Sequence, residues 1–80
     1  MKFSIIINHN RKTASITRDF DRHSLNFVKS AVPHLKTLVG SDCVTCSIVI
    51  MFDNGKIKRF NVAPNRIVHD FGFIHEMMFA

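Results

Sequence analysis

Residues 43–62, CVTCSIVIMFDNGKIKRFNV, decide the fold. Residues 43–52 are β-branched and almost continuously apolar, the pattern of a central strand with neighbours on both sides. Asp53-Asn54-Gly55-Lys56 then supplies hairpin-turn chemistry, and IKRFNV at 57–62 returns as the next strand. The apolar pattern selects the register. A type I turn with Gly55 in a bulge pairs Phe52 with Lys56, Ile48 with Phe60 and Cys46 with Val62, gathering apolar side chains on one face. A two-residue type I′ turn pairs Ile50 with Arg59 and Ile48 with Asn61, which mixes the faces. The bulged turn is therefore expected, with Ile48, Ile50 and Phe60 in the core and Arg59 beside Ile57 on the outer face.

Downstream, Pro64 ends the strand and Asn65 is the expected cap of a last helix, whose core stripe is Ile67, Phe71, Ile74 and Met78. Gly72 weakens that helix. Upstream, residues 2–8 (KFSIIIN) and 13–19 (TASITRD) alternate with period two, so Phe3, Ile5 and Ile7 face Ala14 and Ile16. The polar residues 9–12 between them form a turn with a basic tip. Residues 22–39 repeat Leu25, Val28, Val32, Leu35 and Val39, an amphipathic helix that Asp21 or Ser24 can cap and Gly40 can end. Pro33 interrupts its interior, where it removes a backbone donor, so a kink or a second helix starting near Ser30 is expected.

The order is hairpin, helix, hairpin, helix. Ser4 to Ile16 (SIIINHNRKTASI) resembles Ser47 to Phe60 (SIVIMFDNGKIKRF) in opening and patterning, which suggests two ββα units. The expected fold is α+β, ββαββα, a four-stranded antiparallel sheet with two helices packed on one face. Eighty residues without a linker or low-complexity stretch form a single domain, 1–80, thin in core, with little room for a deep active site. The apolar run after Met1 stops at three isoleucines, short of a signal-peptide core or a membrane span, so a cytoplasmic location and no membrane partner are expected.

Candidate chemistry is thin. Cys43 and Cys46 have zinc-knuckle or redox spacing, but no second such pair follows, and two residues three apart on a strand point to opposite faces. Both are expected to be ordinary reduced cysteines, with no metal and no mutual disulfide. Among the histidines at 9, 23, 34, 69 and 75, His69 adjoins Asp70 and His75 adjoins Glu76, but helix neighbours diverge by about 100° and are not expected to form dyads. No serine lies in a nucleophile-elbow motif, and Gly40, Gly55 and Gly72 make no phosphate-cradling loop. No catalytic residue and no cofactor are expected, and the chain is read as not an enzyme.

Charge and grease remain. Eleven Lys and Arg stand against six Asp and Glu, a formal +5, and the excess lies entirely in residues 1–40, with seven cations and two acids. Arg11 and Lys12 at one hairpin tip and Lys56, Lys58 and Arg59 at the other are the candidate binding residues. They suit phosphate contact better than base reading, because the aromatic signature of RNA-recognition sheets is missing. The C-terminal helix offers Phe73, Met77 and Phe79 away from its core stripe as an interface. By analogy of size and charge, the expected function is a small binding protein of the phage or mobile-element kind that blocks a host nucleoprotein machine by protein–protein contact, as anti-CRISPR inhibitors do. The partner is then a protein target, within a nucleoprotein complex, or a second copy of the chain. The alternative is a direct DNA- or RNA-binding module using the basic hairpins.

Overall fold

A computed structural model describes residues 1–9, 12–40 and 45–79. Two hairpins build one antiparallel sheet: β1 (Lys2–His9) with β2 (Lys12–Asp19), and β3 (Thr45–Met51) with β4 (Ile57–Val62). The strand order β2-β1-β3-β4 places the two most apolar strands at the centre, where both edges of each are paired. Helices α1 (Ser24–Val39) and α2 (Ile67–Phe79) follow the hairpins, giving ββαββα, and pack on the same sheet face.

The second hairpin has the bulged register. Ile48 pairs with Phe60 and Cys46 with Val62, while Gly55 N–H donates to the Phe52 carbonyl (3.0 Å) and Phe52 N–H to the Lys56 carbonyl (2.8 Å). Gly55 has φ +86°, a conformation that costs any residue with a Cβ. In the first hairpin the strands run further than the polar residues suggest. His9 pairs with Lys12, so Lys12 opens β2 and does not belong to a turn.

Ile5 and Ile48 lie directly opposite each other across the central β1–β3 ladder. These are also the residues that the Ser4/Ser47 likeness aligns, so a local two-fold axis passes between them and relates the ββα units. Phe3, Ile5, Ile7, Cys46, Ile48 and Ile50 form the buried sheet face, and Val28, Val32, Leu35, Val39, Ile67, Phe71 and Ile74 close over it. Phe60 is only half-buried because β4 is an edge strand, and Met78 is 38% exposed instead of completing the α2 stripe.

α1 is a single helix through Pro33, neither split at Ser30 nor begun at residue 22. Pro33 is tolerated because it lies on the solvent side of the helix, where water can satisfy the carbonyl it deprives of a partner. Neither expected residue caps α1: the N-cap position is His23, with no side-chain cap hydrogen bond, and Asp21 and Ser24 instead brace the turn before the helix. The Asp21 carboxylate accepts from His23 N–H (2.8 Å), and the buried Ser24 hydroxyl accepts from Asp21 N–H (2.9 Å) and donates to the Asp19 carbonyl (3.1 Å). Gly40 ends α1 with φ +95°. Asn65 does not cap α2; it sits inside a 3₁₀ turn, Pro64–Arg66, that leads into it. Gly72 faces Leu25 of α1, and the position a Cβ would take is 3.6 Å from Leu25 Cδ1, an ordinary contact distance.

Candidate functional site

α2 turns back over the sheet because Pro64 stops β4 and presets the first turn of the helix. Spacing of Ile67, Phe71 and Ile74 then fixes which side faces the core, and it leaves Phe73 and Met77, four residues apart, leaning past the edge of β4. Each is 62% exposed. Together with Phe60, Val62, Ile74 and Asp70 they line an open groove of 390 Å³ between α2 and β4. The edge of β4 adjoining it has no strand partner among the described residues.

Charge borders this groove on both sides. The Lys58 ammonium lies 5.4 Å from the centre of the Phe60 ring, a cation–π contact at the rim. At the other side Asp70 pairs with Arg66 (3.4 Å) and lies 3.1 Å from His69 Nδ1. His69 and Asp70 therefore do meet, contrary to expectation, because the Asp70 carboxylate reaches back along the first turn of α2 toward both residues. Arg66 also stands 3.1 Å from the same His69 nitrogen, so the cluster is a surface ion-pair network without a nucleophile beside it. His75 makes no hydrogen bond or ion pair with Glu76; its Nε2–H donates to the Asp21 carbonyl (3.0 Å).

Phe79, 37% exposed, lies on a different side of α2 from Phe73 and Met77. Its ring stacks on Phe20 (5.1 Å between centroids) and leans on His75 (4.9 Å), on the side of α2 that faces α1. Phe71 and Phe3 complete this aromatic cluster around Phe20. The helical spacing 71, 75, 79 already announces that row.

The basic hairpin residues do not form one surface. Lys12 pairs with His9 at one end of the sheet, whereas the turn carrying Lys56 lies beyond Met51, which pairs with Lys2 at the other end. Seven strand steps separate them, about 23 Å. Arg11 and Cys43 lie outside the described residues. Lys56 is exposed at the turn, and Lys58 and Arg59 project from opposite faces of β4. Arg59 is further restrained, since its Nε and a terminal nitrogen both donate to Ser47 Oγ (3.2 and 3.1 Å), and Ser47 donates to Asn61 Oδ1 (3.1 Å). Cys46 is buried on the helix-facing side of β3.

The open sheet face carries Ser4, Thr17, Ser47 and Thr45 around Ile6, Val49 and Met51, with no phenylalanine among its described residues. It lacks stacking platforms for bases. No described helix is long and apolar enough to cross a membrane, and among the described residues no three of His, Cys, Asp and Glu gather closely enough to hold a metal ion. Comparison with protein-family models, curated proteins and solved structures finds no match to this chain.

Proposed function

We propose that the protein is a non-enzymatic binding protein that captures an apolar segment of a partner protein in the groove between α2 and β4. The exposure of Phe73 and Met77, over a cleft whose floor is Phe60, Val62 and Ile74, carries this reading. Large apolar side chains that flank a concave, partly apolar surface are the usual anchors of protein interfaces. The β4 rim bears Lys56, Lys58 and Arg59 and no acid, so a second copy paired edge to edge through β4 sets like charges against each other. A heterologous partner with carboxylates beside its apolar anchor fits better than a homodimer. In this reading the phage-type inhibitor acts by occupying a protein component of a nucleoprotein assembly.

The test pairs wild type with the double variant Phe73→Asp, Met77→Lys. Nuclease-treated lysate should yield one partner in stoichiometric amount with wild type and none with the variant, while circular dichroism shows both folded. Retention of the partner by the folded variant overturns the proposal. Dimerisation of wild type by light scattering, lost in the variant, assigns the groove to a second copy and overturns the heterologous reading.

A further inference from the structure

The exterior of α1 holds a second surface of different chemistry. Its exposed residues Asn26, Lys29, Ser30, His34 and Thr37 are polar or cationic, with Pro33 and Leu38 the exposed apolar ones, and the helix contains no Asp or Glu anywhere along its 16 residues. Lys29 and Lys36 are seven residues apart, two turns and about 10 Å along the axis, and so share one side. Arg22 stands a further seven residues back, in the turn that enters the helix. On the opposite flank, edge strand β2 adds Arg18, whose guanidinium lies over the Phe27 ring (4.8 Å), and Lys12, beside Leu38 and Val39 at the far end of α1. Among the described residues no carboxylate lies within ion-pair distance of any of these five cations. The nearest acids in sequence, Asp19 and Asp21, sit together at one end, and the Asp21 carboxylate is engaged in the turn before the helix.

We propose that the α1 exterior, with the β2 edge beside it, binds the sugar–phosphate backbone of a nucleic-acid duplex without reading its sequence. Three features select this occupant. Arg22, Lys29 and Lys36 follow one side of the helix, about 24 Å long, and its entry turn, and Arg18 and Lys12 line the β2 flank, so phosphates of a duplex lying over α1 meet cations on both flanks, each contact releasing a counterion. An anionic membrane is a poorer fit, because the apolar stripe of α1 is spent on the sheet and its outer side offers one exposed large apolar side chain, Leu38, for insertion into a bilayer. Phenylalanine platforms for base stacking are missing too: Phe27, the phenylalanine of α1, is covered by Arg18. Shape and charge are what this face can recognise. Its position on the opposite helix from the groove leaves both free to act at once.

Fluorescence anisotropy with a labelled duplex of ~20 base pairs, titrated from about 50 to 200 mM salt, tests it. Wild type should bind at low salt with log K falling by about 3–5 per log unit of salt. Arg22→Gln, Lys29→Gln and Lys36→Gln together should flatten that slope by about 3 and weaken binding at least tenfold at low salt. Phe73→Asp with Met77→Lys should leave duplex binding unchanged, which separates failure here from failure of the groove. Should the triple variant misfold, amide shifts of wild type on adding duplex must cluster within residues 18–37. No binding at low salt, an unchanged slope in the folded triple variant, shifts centred on β4, or tighter binding to phosphatidylserine vesicles than to duplex each overturns the proposal.

Discussion

α1 and α2 cover the same face of the same sheet, follow equivalent hairpins and run in opposite directions, α2 ending where α1 begins. Inward they are interchangeable in kind, Val28, Val32 and Leu35 on one, Ile67, Phe71 and Ile74 on the other. Outward they diverge: α1 presents Lys29, Pro33 and His34, and α2 presents Phe73, Glu76 and Met77. The shared inner pattern is what the sheet demands of any helix laid across it. Solvent makes no such demand, so the outer pattern records what each unit meets, and here the two units meet different things.

The comparison holds only if the halves are one cooperative body. Phe71 of the second unit is fully buried against Phe3 (4.9 Å) and Phe20 (5.6 Å) of the first. Phe71→Ala should cost about 3–5 kcal/mol in chemical denaturation, with amide protection in β1 and β2 falling in parallel with that in β3 and β4. Protection that survives in the first hairpin alone breaks the comparison, since the units then fold separately. Gly55→Ala should cost about 1–2 kcal/mol, because φ +86° is strained for alanine. An unchanged melting temperature there removes the bulged turn that distinguishes the second hairpin.

Gly72→Ala should act in the other direction. An added Cβ meets Leu25 at an ordinary contact distance of 3.6 Å, so the helix-propensity gain of about 0.5–1 kcal/mol should appear as a higher melting temperature. A loss instead means that the seam between the two helices is tighter than this contact. Smallest of all, Lys29→Gln with Lys36→Gln and Phe73→Asp with Met77→Lys should each shift stability by no more than about 0.5 kcal/mol per substitution. A larger loss from either pair shows that its exterior is structural.

Strand order within each hairpin, the bulge at Gly55 and the core face were legible in the sequence because period-two alternation and turn chemistry are local. Pro33 misled because helix interruption depends on which side the proline takes, and that side is set by the sheet below. Phe60 and Met78 were overplaced in the core because exposure at an edge strand or a helix end follows from neighbours, not from periodicity. Phe73 and Met77 followed from helical arithmetic, whereas Phe79 answers to Phe20, which lies 59 positions away in sequence. The two basic hairpin tips were legible as separate groups, but their placement at opposite ends of the sheet depends on how β1 pairs with β3, which is not local. The basic run on α1 needed no structure to find, since Arg22, Lys29 and Lys36 repeat every seven residues with no acid between them.

Phe20 holds both ends of the described chain: its N–H donates to the Met1 carbonyl (2.9 Å), and its ring stacks on Phe79. A short Gly/Ser bridge can therefore join residues 79 and 1 without crossing the sheet, and the chain can be reopened between Gly40 and Thr45, where one ββα unit hands over to the next. The permuted protein would read β3-β4-α2-β1-β2-α1, the same string of elements with its halves exchanged. The two-fold between Ile5 and Ile48 relates the exchanged halves. Permutation would thus move the groove to the beginning of the chain and the basic helix to its end, leaving each face where it stands in space.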